Sequence, residues 1–394
     1  PFVSSNRMLK FVARLLLPLC LLALAVGCSH TPKKDKDEDK PAVLKPITQT
    51  VAVQRVWHVS LRGQLPKLRL GLAPVVEADR VYLASAKGVV RAYALANGKE
   101  IWSRKLKTQL GGGPGANAKM VVVGGTGGEL IALAAADGAE LWRVRLGGEI
   151  LAAPTVADDV IVARTVDGRL HALEPGDGRS RWVADQQPPK LSLRGQSAAV
   201  IAGDTVYSGF DNGRLMAVLL SNGTTVWDVA VAQARGSTEL QRLVDIDAPV
   251  IIVGDELYAA SYQGKLERLS RDNGQLSWSR ELSSYRGLAL DATSVYLSTA
   301  EGEVVALDRV TGVERWRQSA LLRRQLSGPV LDHGRVVVGD YQGILHWLNP
   351  ADGSFVARHK VSRGRIDATP VEAGDMLLAL TDKGELGAFR TAGP

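Results

Sequence analysis

The stretch GVVRAYALANGKEIW, residues 88–102, is one copy of a unit that recurs along most of this 394-residue chain. In seven complete copies a second glycine follows the first by ten positions, and in six of these a tryptophan follows by fourteen. The copies begin at Gly88, Gly128, Gly168, Gly213, Gly264, Gly302 and Gly343, and a shortened copy begins at Gly384. A repeat of about 40 residues is typical of a propeller, in which each copy forms one blade.

Each unit contains the signals of four short strands. Apolar side chains alternate before the second glycine, as at Leu130 and Ala132, which is the period of a strand. That glycine follows Asn or Asp in six of seven copies, so we expect a type I′ turn with positive φ at both central residues. Two more apolar runs precede each copy, such as residues 73–76 and 80–83. The pattern predicts four-stranded antiparallel blades.

The two ends of the repeat region complement each other. The copy that begins at Gly384 supplies a third strand but no fourth, whereas residues 51–61 show strand alternation and contain Trp57 at the fitting place. Pairing this N-terminal strand with the C-terminal blade closes the ring and removes two open sheet edges. We therefore predict an all-β fold, an eight-bladed β-propeller over residues 47–394.

A small residue recurs in the third strand of most copies, as at Ala92, and suits close packing with a tryptophan that covers the neighbouring sheet. Arg268 and Trp347 replace this small residue in two copies, and Ala357 replaces the tryptophan in one. We expect the blade contacts at these places to differ from the others.

Residues 1–27 are predicted to form a signal peptide, with translation starting at Met8. Lys10 and Arg14 precede an apolar run over residues 15–26, which is too short to cross a bilayer and ends in small residues. Residues 28–46 balance lysines against acidic residues and contain few apolar side chains. Such a segment cannot bury a core and is expected to be a solvated tether.

Residues 24–28, Leu-Ala-Val-Gly-Cys, resemble a bacterial lipobox. The resemblance implies cleavage before Cys28, lipidation of Cys28, and stable membrane anchoring by several acyl chains. Ser29 stands where an aspartate would signal retention in the inner membrane, so the implied destination is the outer membrane, with the propeller in the periplasm.

Composition argues against several other functions. The formal charge of +7 falls to about +4 after signal removal, which disfavours nucleic-acid binding. Both cysteines lie in the first 28 residues, and the six histidines show no metal-ligand spacing. We therefore predict no catalytic residue, no metal and no cofactor. The repeat resembles that of pyrroloquinoline-quinone (PQQ) dehydrogenases, but their paired cysteines are missing. An oxidoreductase subunit stays as the alternative that dye reduction with PQQ and calcium would reveal.

Two consecutive connections between blades are unusually long. From the tryptophan to the start of the next blade there are 12 residues at Trp102 and Trp142, but 17 at Trp182 and 22 at Trp227. All such connections emerge on one face of a propeller, so the long ones should lie side by side. Their apolar and charged residues indicate a protein interface, with the candidate residues Leu191, Leu193, Arg194, Asp245 and Asp247.

Taken together, the lipobox, the tether, the eight units, Leu-Ser-Leu-Arg-Gly at residues 191–195 and Asp-x-Asp at 245–247 resemble the BamB family of the outer-membrane β-barrel assembly (BAM) machinery. The resemblance spans essentially the whole chain. It implies binding of the propeller to the POTRA domains of BamA through those five residues, and assistance to the insertion of barrel proteins, with unfolded clients as further partners. A propeller lipoprotein with a different envelope partner is the alternative.

Overall fold

A computed structural model describes residues 40–61, 72–189, 197–232 and 244–392. The described residues form thirty-two strands in eight four-stranded antiparallel sheets, which confirms the predicted eight-bladed propeller. The first strand is β1 (Val53–Ser60). Blade 1 comprises β2 (Val75–Glu77), β3 (Arg80–Ala84), β4 (Val89–Ala94) and β5 (Glu100–Lys105); blade 2 comprises β6 (Leu110–Ala116), β7 (Met120–Gly125), β8 (Glu129–Ala134) and β9 (Glu140–Arg145).

The next four blades continue in chain order. Blade 3 comprises β10 (Thr155–Val156), β11 (Ile161–Arg164), β12 (Arg169–Leu173) and β13 (Ser180–Asp185); blade 4 comprises β14 (Val200–Ala202), β15 (Thr205–Gly209), β16 (Arg214–Leu219) and β17 (Thr225–Ala230). Blade 5 comprises β18 (Ile251–Val253), β19 (Glu256–Ala260), β20 (Leu266–Ser270) and β21 (Leu276–Arg280); blade 6 comprises β22 (Leu288–Leu290), β23 (Ser294–Ser298), β24 (Val304–Asp308) and β25 (Glu314–Gln318).

The last two blades meet at the seam of the ring. Blade 7 comprises β26 (Val330–Asp332), β27 (Arg335–Gly339), β28 (Ile344–Leu348) and β29 (Phe355–Lys360); blade 8 comprises β30 (Val371–Ala373), β31 (Met376–Leu380), β32 (Glu385–Thr391) and β1. Strand β1 pairs with β32 so that Trp57 lies opposite Ala388, just as Trp102 lies opposite Ala92 in blade 1. The predicted closure by the N-terminal strand is confirmed.

Tryptophan connects each blade to the next. In seven blades the indole Nε1 donates a hydrogen bond of 2.7–3.2 Å to a backbone carbonyl of the following blade. The ring also lies against the turn glycine of that blade. A Cβ atom on any of these seven glycines would lie only 2.6–3.0 Å from the ring, closer than nonbonded carbon atoms approach. The repeated glycine is therefore required by the tryptophan of the preceding blade.

The same glycines also have positive φ, for example 69° at Gly98 and 73° at Gly138. The expected type I′ turn, however, is wrong. Among the described residues only the glycine of each Asn-Gly or Asp-Gly pair has positive φ. The Asn97 Oδ1 atom instead accepts a hydrogen bond of 3.0 Å from the backbone N–H of Lys99, and a bulge between Ala92 and Tyr93 absorbs the additional residue.

Blade 7 differs from the others because of the seam. Blade 8 has no turn between β32 and β1, so no turn glycine faces blade 7. Here the tryptophan moves to the neighbouring strand, where Trp347 lies opposite Ala357 and donates from Nε1 to Asp332 Oδ2 at 2.6 Å. Thr391 of blade 8 donates to the same carboxylate oxygen at 2.9 Å. The expected difference at this contact is confirmed.

The contact at Arg268 also differs as expected. Arg268 forms an ion pair with Glu256, and its Nη1 donates to the carbonyl of Val310 in blade 6 at 3.1 Å. Arg309 of blade 6 binds the other oxygen of Glu256 at 2.8 Å. Polar links therefore join these two blades in addition to Trp278.

Residues 41–51 run along the outer edge of blade 7, and we call this segment the strap. The backbone N–H of Ala42 donates to Leu322 O at 2.9 Å, and that of Thr50 donates to Val356 O at 2.9 Å. Arg358 binds the carbonyl of Lys45 at 2.5 Å, and Leu44 packs on the core between blades 6 and 7. The expectation of a solvated tether up to residue 46 is therefore wrong for residues 41–46, because they contact the propeller. Within the described residues no helix is long and apolar enough to cross a membrane.

Replacing Gly138 by alanine should destabilise the protein more than replacing Gly203. Both glycines have positive φ, 73° and 64°, but Gly203 has no neighbouring atom within 4 Å of a Cβ position, whereas Gly138 lies against Trp102. We expect Gly203→Ala to cost about 1 kcal/mol and Gly138→Ala about 3 kcal/mol, measured from urea unfolding. Equal costs would mean that backbone conformation alone selects the glycine.

Candidate docking surface

One face of the ring carries the connections between successive blades, and we call it the connector rim. In six blades the residue after the outermost strand donates its backbone N–H to the carbonyl of the first repeat glycine, at 2.7–3.0 Å, as in Leu106 to Gly88. The connections therefore lie beside the turns that join the second and third strands. Because both kinds of loop share this rim, long connections enlarge a surface that is already continuous.

The two long connections are neighbours on this rim. We call residues 186–199, between β13 and β14, the first connector, and residues 231–250, between β17 and β18, the second connector. The Ser197 hydroxyl donates a buried hydrogen bond of 3.0 Å to the carbonyl of Ala248, which joins the end of one connector to the end of the other. The predicted adjacency is confirmed at the described ends of both connectors.

A single turn, residues 210–213, lies between the two connectors and bonds to both. Asn212 Nδ2 donates to the Gln186 side chain at 3.2 Å and to the Gln187 carbonyl at 3.1 Å in the first connector. The carbonyl of Gly213 accepts hydrogen bonds from the backbone N–H groups of Val231 and Ala232, in the second connector, at 3.0 and 3.1 Å. The turn therefore fixes the starts of both connectors relative to each other.

A buried ion pair holds this turn against the preceding blade. Arg164 of β11 pairs with Asp211 of the turn, and their side chains are only 3% and 6% exposed. The Arg164 guanidinium also lies over the ring of Phe210, 5.2 Å from its centroid. Loss of one partner of a buried pair leaves a charge in a place that water does not reach, which is strongly destabilising. The pair therefore specifies one position for the turn.

A second polar network fixes the beginning of the first connector. Gln186 Nε2 donates to Asp228 Oδ2 at 2.6 Å, and Arg214 Nε donates to the other oxygen of Asp228 at 2.8 Å. Asp228 lies on β17, so the network joins the first connector to the strand that leads into the second. No motif in the sequence singles out Asn212, Asp228 or Arg164. The one available signal was the Asp-Asn pair before Gly213, at the turn next to both insertions.

Some of the predicted site residues lie within the described part of the chain and others do not. Cys28, Leu191, Leu193 and Arg194 lie outside the described residues, so their roles stay predictions. Asp247 is half-buried at the inner end of the second connector, where it borders a central cavity of about 500 Å³.

Asp245 lies elsewhere than expected, because it is completely buried. Its backbone carbonyl accepts a hydrogen bond of 2.8 Å from Tyr262, in the turn between the second and third strands of blade 5. A buried carboxylate cannot contact a partner directly in this conformation. Partner binding by Asp245 and Asp247 therefore stays a prediction, and the burial of Asp245 places it in the internal support of the second connector.

The central cavity opens among the inner ends of the connections. Its lining is mainly small and apolar, with Asp247, Arg286, Asp367 and Glu372 as its charged residues. Arg286 Nη1 donates to the carbonyl of Asp367 at 2.8 Å, and Arg365 pairs with the Asp367 carboxylate at 3.2 Å. Among the described residues there is no group of three His, Cys, Asp or Glu side chains that could hold a metal ion.

Comparisons with known proteins agree on one family. The model of the family described as outer membrane protein assembly factor BamB matches residues 53–108, 86–318 and 311–393. The chain is similar to outer membrane protein assembly factor BamB of Pseudomonas aeruginosa, with 44% identity over 94% of this chain and 97% of the relative. Its counterpart from Kangiella koreensis is 41% identical over 95% and 96%. The crystal structure of BamB from Moraxella catarrhalis is similar with a TM-score of 0.80 and 30% identity, over 86% of this chain and 100% of that one.

The Asn212→Ala variant should loosen the described ends of the first connector. It removes two hydrogen bonds to the first connector and one within its own turn. Loss of the two connector bonds costs about 2 kcal/mol at most, so amide hydrogen exchange should accelerate at Gln186, Gln187 and residues 197–199. The matched control is Asn97→Ala, which removes a turn hydrogen bond on the opposite face and should leave exchange at these residues unchanged. Unaltered exchange in Asn212→Ala would show that the turn does not hold the connector.

Proposed function

This chain belongs to the BamB family of outer-membrane protein assembly factors, and on that basis we propose that it is a lipid-anchored, non-catalytic scaffold that binds the POTRA domains of BamA. In this proposal Cys28 carries the acyl chains that hold the protein at the outer membrane, and the propeller lies in the periplasm. The observation that carries the proposal is the adjacency of the two long connectors, joined by Ser197 and Ala248.

The composition of the connectors suits a protein partner. Leu191 and Leu193 supply apolar side chains beside Arg194, and Asp247 supplies a carboxylate on the neighbouring connector. In protein interfaces a few apolar and arginine side chains account for most of the affinity, while charges at the edge set orientation and the rate of association. We therefore assign the POTRA contact to Leu191, Leu193, Arg194 and Asp247, and a supporting role to Asp245.

The rigid base of the connectors favours this assignment. Asn212, Asp228 and the Arg164–Asp211 pair hold both connectors from the side of the ring. Binding costs less conformational entropy when the binding residues are already positioned. The propeller then acts as a rigid body that fixes the position of BamA's periplasmic domains near the membrane.

Unfolded barrel proteins are the second partner in the proposal. In the described part of the chain, β5, β9, β17 and β21 are the outer strands of their sheets. Apolar side chains on these four strands face solvent: Ile101, Leu141, Val226 and Leu276 are 42–52% exposed. An extended client segment can add to such an edge through backbone hydrogen bonds. Transient pairing of this kind would keep a client strand extended before insertion.

The Leu193→Asp variant should abolish pull-down of BamA, because a desolvated carboxylate replaces an apolar anchor. The expected loss of affinity is at least tenfold, equivalent to about 1.4 kcal/mol or more, with an unchanged thermal unfolding midpoint. The matched control is Leu141→Asp, which places the same charge at an exposed leucine of β9 away from the connector rim and should retain binding.

Retained binding by Leu193→Asp would reject the connector surface. Crosslinking in intact cells from the same position identifies the partner, and recovery of a different envelope protein would support the alternative scaffold function. Dye reduction by the protein after addition of PQQ and calcium would support the oxidoreductase alternative.

A further inference from the structure

The connector rim over blades 7, 8 and 1 is strongly basic. It carries seven exposed lysine and arginine side chains, which we call the basic sector: Lys87, Lys105, Lys107, Arg323, Lys360, Arg363 and Lys383. Within the described parts of the chain, none of the seven forms an ion pair with a carboxylate. Their charges therefore remain available to an anionic partner.

Contacts join neighbouring parts of the sector within blade 1 and across blades 6, 7 and 8. The ammonium of Lys105 at the end of β5 reaches the carbonyl of Lys87 in the neighbouring turn. Arg323 donates its backbone N–H to Glu301 O at 2.7 Å. A Cβ on Gly364 would lie 2.6 Å from Lys383 Cγ, which joins the connection that carries Arg363 to the turn of blade 8.

The acidic residues of this region offset little of the charge. Asp367 is engaged by Arg286 and Arg365, and Asp382 Oδ1 accepts the backbone N–H of Arg365 at 2.9 Å. Glu301 is the exposed acidic residue among the described turns of blades 6–8 on this rim. The sector therefore has a net positive field.

The strap leaves the propeller beside the same sector. Arg324 donates from Nη1 to the carbonyl of Ala42 at 2.9 Å, and its guanidinium is held by Asp340 at 2.6 Å. Asp340 also accepts a hydrogen bond of 3.0 Å from His346. Burial lowers the pKa of His346, and the neutral ring accepts at Nδ1 from Arg358. The exit point of the strap is thus fixed next to Arg323.

Chain length limits the distance between this exit and the anchor. Ala42 is the fourteenth residue after Cys28, and a fully extended chain of that length spans about 50 Å at most. A membrane that holds Cys28, as in the proposed function, must therefore lie within that distance of Ala42, beside Arg323 of the basic sector. The docking connectors lie across the ring, between blades 3, 4 and 5, and are supported there by Asp211 and Asp228.

We propose that the basic sector binds anionic phospholipid headgroups of the membrane in which the N-terminal anchor is embedded. The inference rests on the lipid anchor of the proposed function and adds a second membrane contact to it. Clustered lysine and arginine side chains bind anionic lipid surfaces, with a gain on the order of fivefold in affinity for each charge. The contact would turn the connector rim towards the membrane on its blade 7 and 8 side and leave the docking connectors accessible on the other.

The test uses the acylated protein in vesicles, with a fluorescent label on a single introduced cysteine. Ala320→Cys places the label beside the basic sector, in the connection between blades 6 and 7, and Ala351→Cys places it on the opposite face of blade 7. Both alanines are exposed. Vesicles contain either phosphatidylcholine alone or equimolar phosphatidylcholine and phosphatidylglycerol, each with a headgroup-bound quencher. We expect quenching at Ala320→Cys in the anionic vesicles only, reversed by high salt, and none at Ala351→Cys.

The charge-reversed triple variant Arg323→Glu, Arg363→Glu, Lys383→Glu should show at least tenfold weaker quenching in the anionic vesicles. It should still bind BamA in a pull-down, and its unfolding midpoint should be unchanged. Equal quenching in both vesicle types, or quenching that the variant retains, would overturn the proposal. Loss of a co-purifying acidic protein in the variant, without any lipid dependence, would instead assign the sector to a protein partner and reject the lipid contact. Mass spectrometry of the peptide that contains Cys28 shows separately whether the protein is acylated. If it carries no acyl groups, binding of the basic sector to lipid is measured instead by co-flotation of the protein with the same two kinds of vesicle.

Discussion

The contact between an indole ring and a turn glycine governs the architecture of this protein. A tryptophan of one blade lies against the turn of the next and hydrogen-bonds to its backbone, as Trp102 does with Gly138 and Ala135. The contact requires a residue without a Cβ atom, and the turn requires positive φ, so two independent constraints select the same glycine. Repeated seven times, this contact links neighbouring sheets around the ring.

The seam shows what happens where the contact cannot form. Blade 8 is assembled from both ends of the chain and offers no turn to blade 7, so the tryptophan is found at Trp347 instead of position 357, where alanine is buried. The strap covers the outer edge of β29 at this blade. Since the ring is held by its interior contacts, the length of a connection on the rim can vary without disturbing the blades. Blades 3, 4 and 5 therefore carry longer connections beside each other, and their ends are fixed by local contacts.

Periodic features could be predicted from the sequence, and unique ones could not. Blade number, closure through Trp57 and adjacency of the long connectors all follow from the register of glycine and tryptophan. The turn type was wrong because Asn97 uses its side chain to bind Lys99, a local competition that the Asn-Gly pair does not reveal. Docking of residues 41–46 depends on contacts with Arg324 and Arg358, which lie far away in sequence. The backbone of Asp245 is held by a hydrogen bond from Tyr262 in a turn of blade 5. The repeat therefore predicts the order of blades and connections around the ring, but not the contacts of individual side chains on the connector rim.

A double-mutant cycle between Trp102 and Gly138 measures the governing contact most directly. Free energies of unfolding are compared for the wild type, Trp102→Leu, Gly138→Ala and the double variant. If the indole ring is what excludes a side chain at position 138, the cost of Gly138→Ala should fall in the Trp102→Leu background to that of Gly203→Ala, a coupling of about 2 kcal/mol. A cost of Gly138→Ala that is the same in both backgrounds would contradict the account.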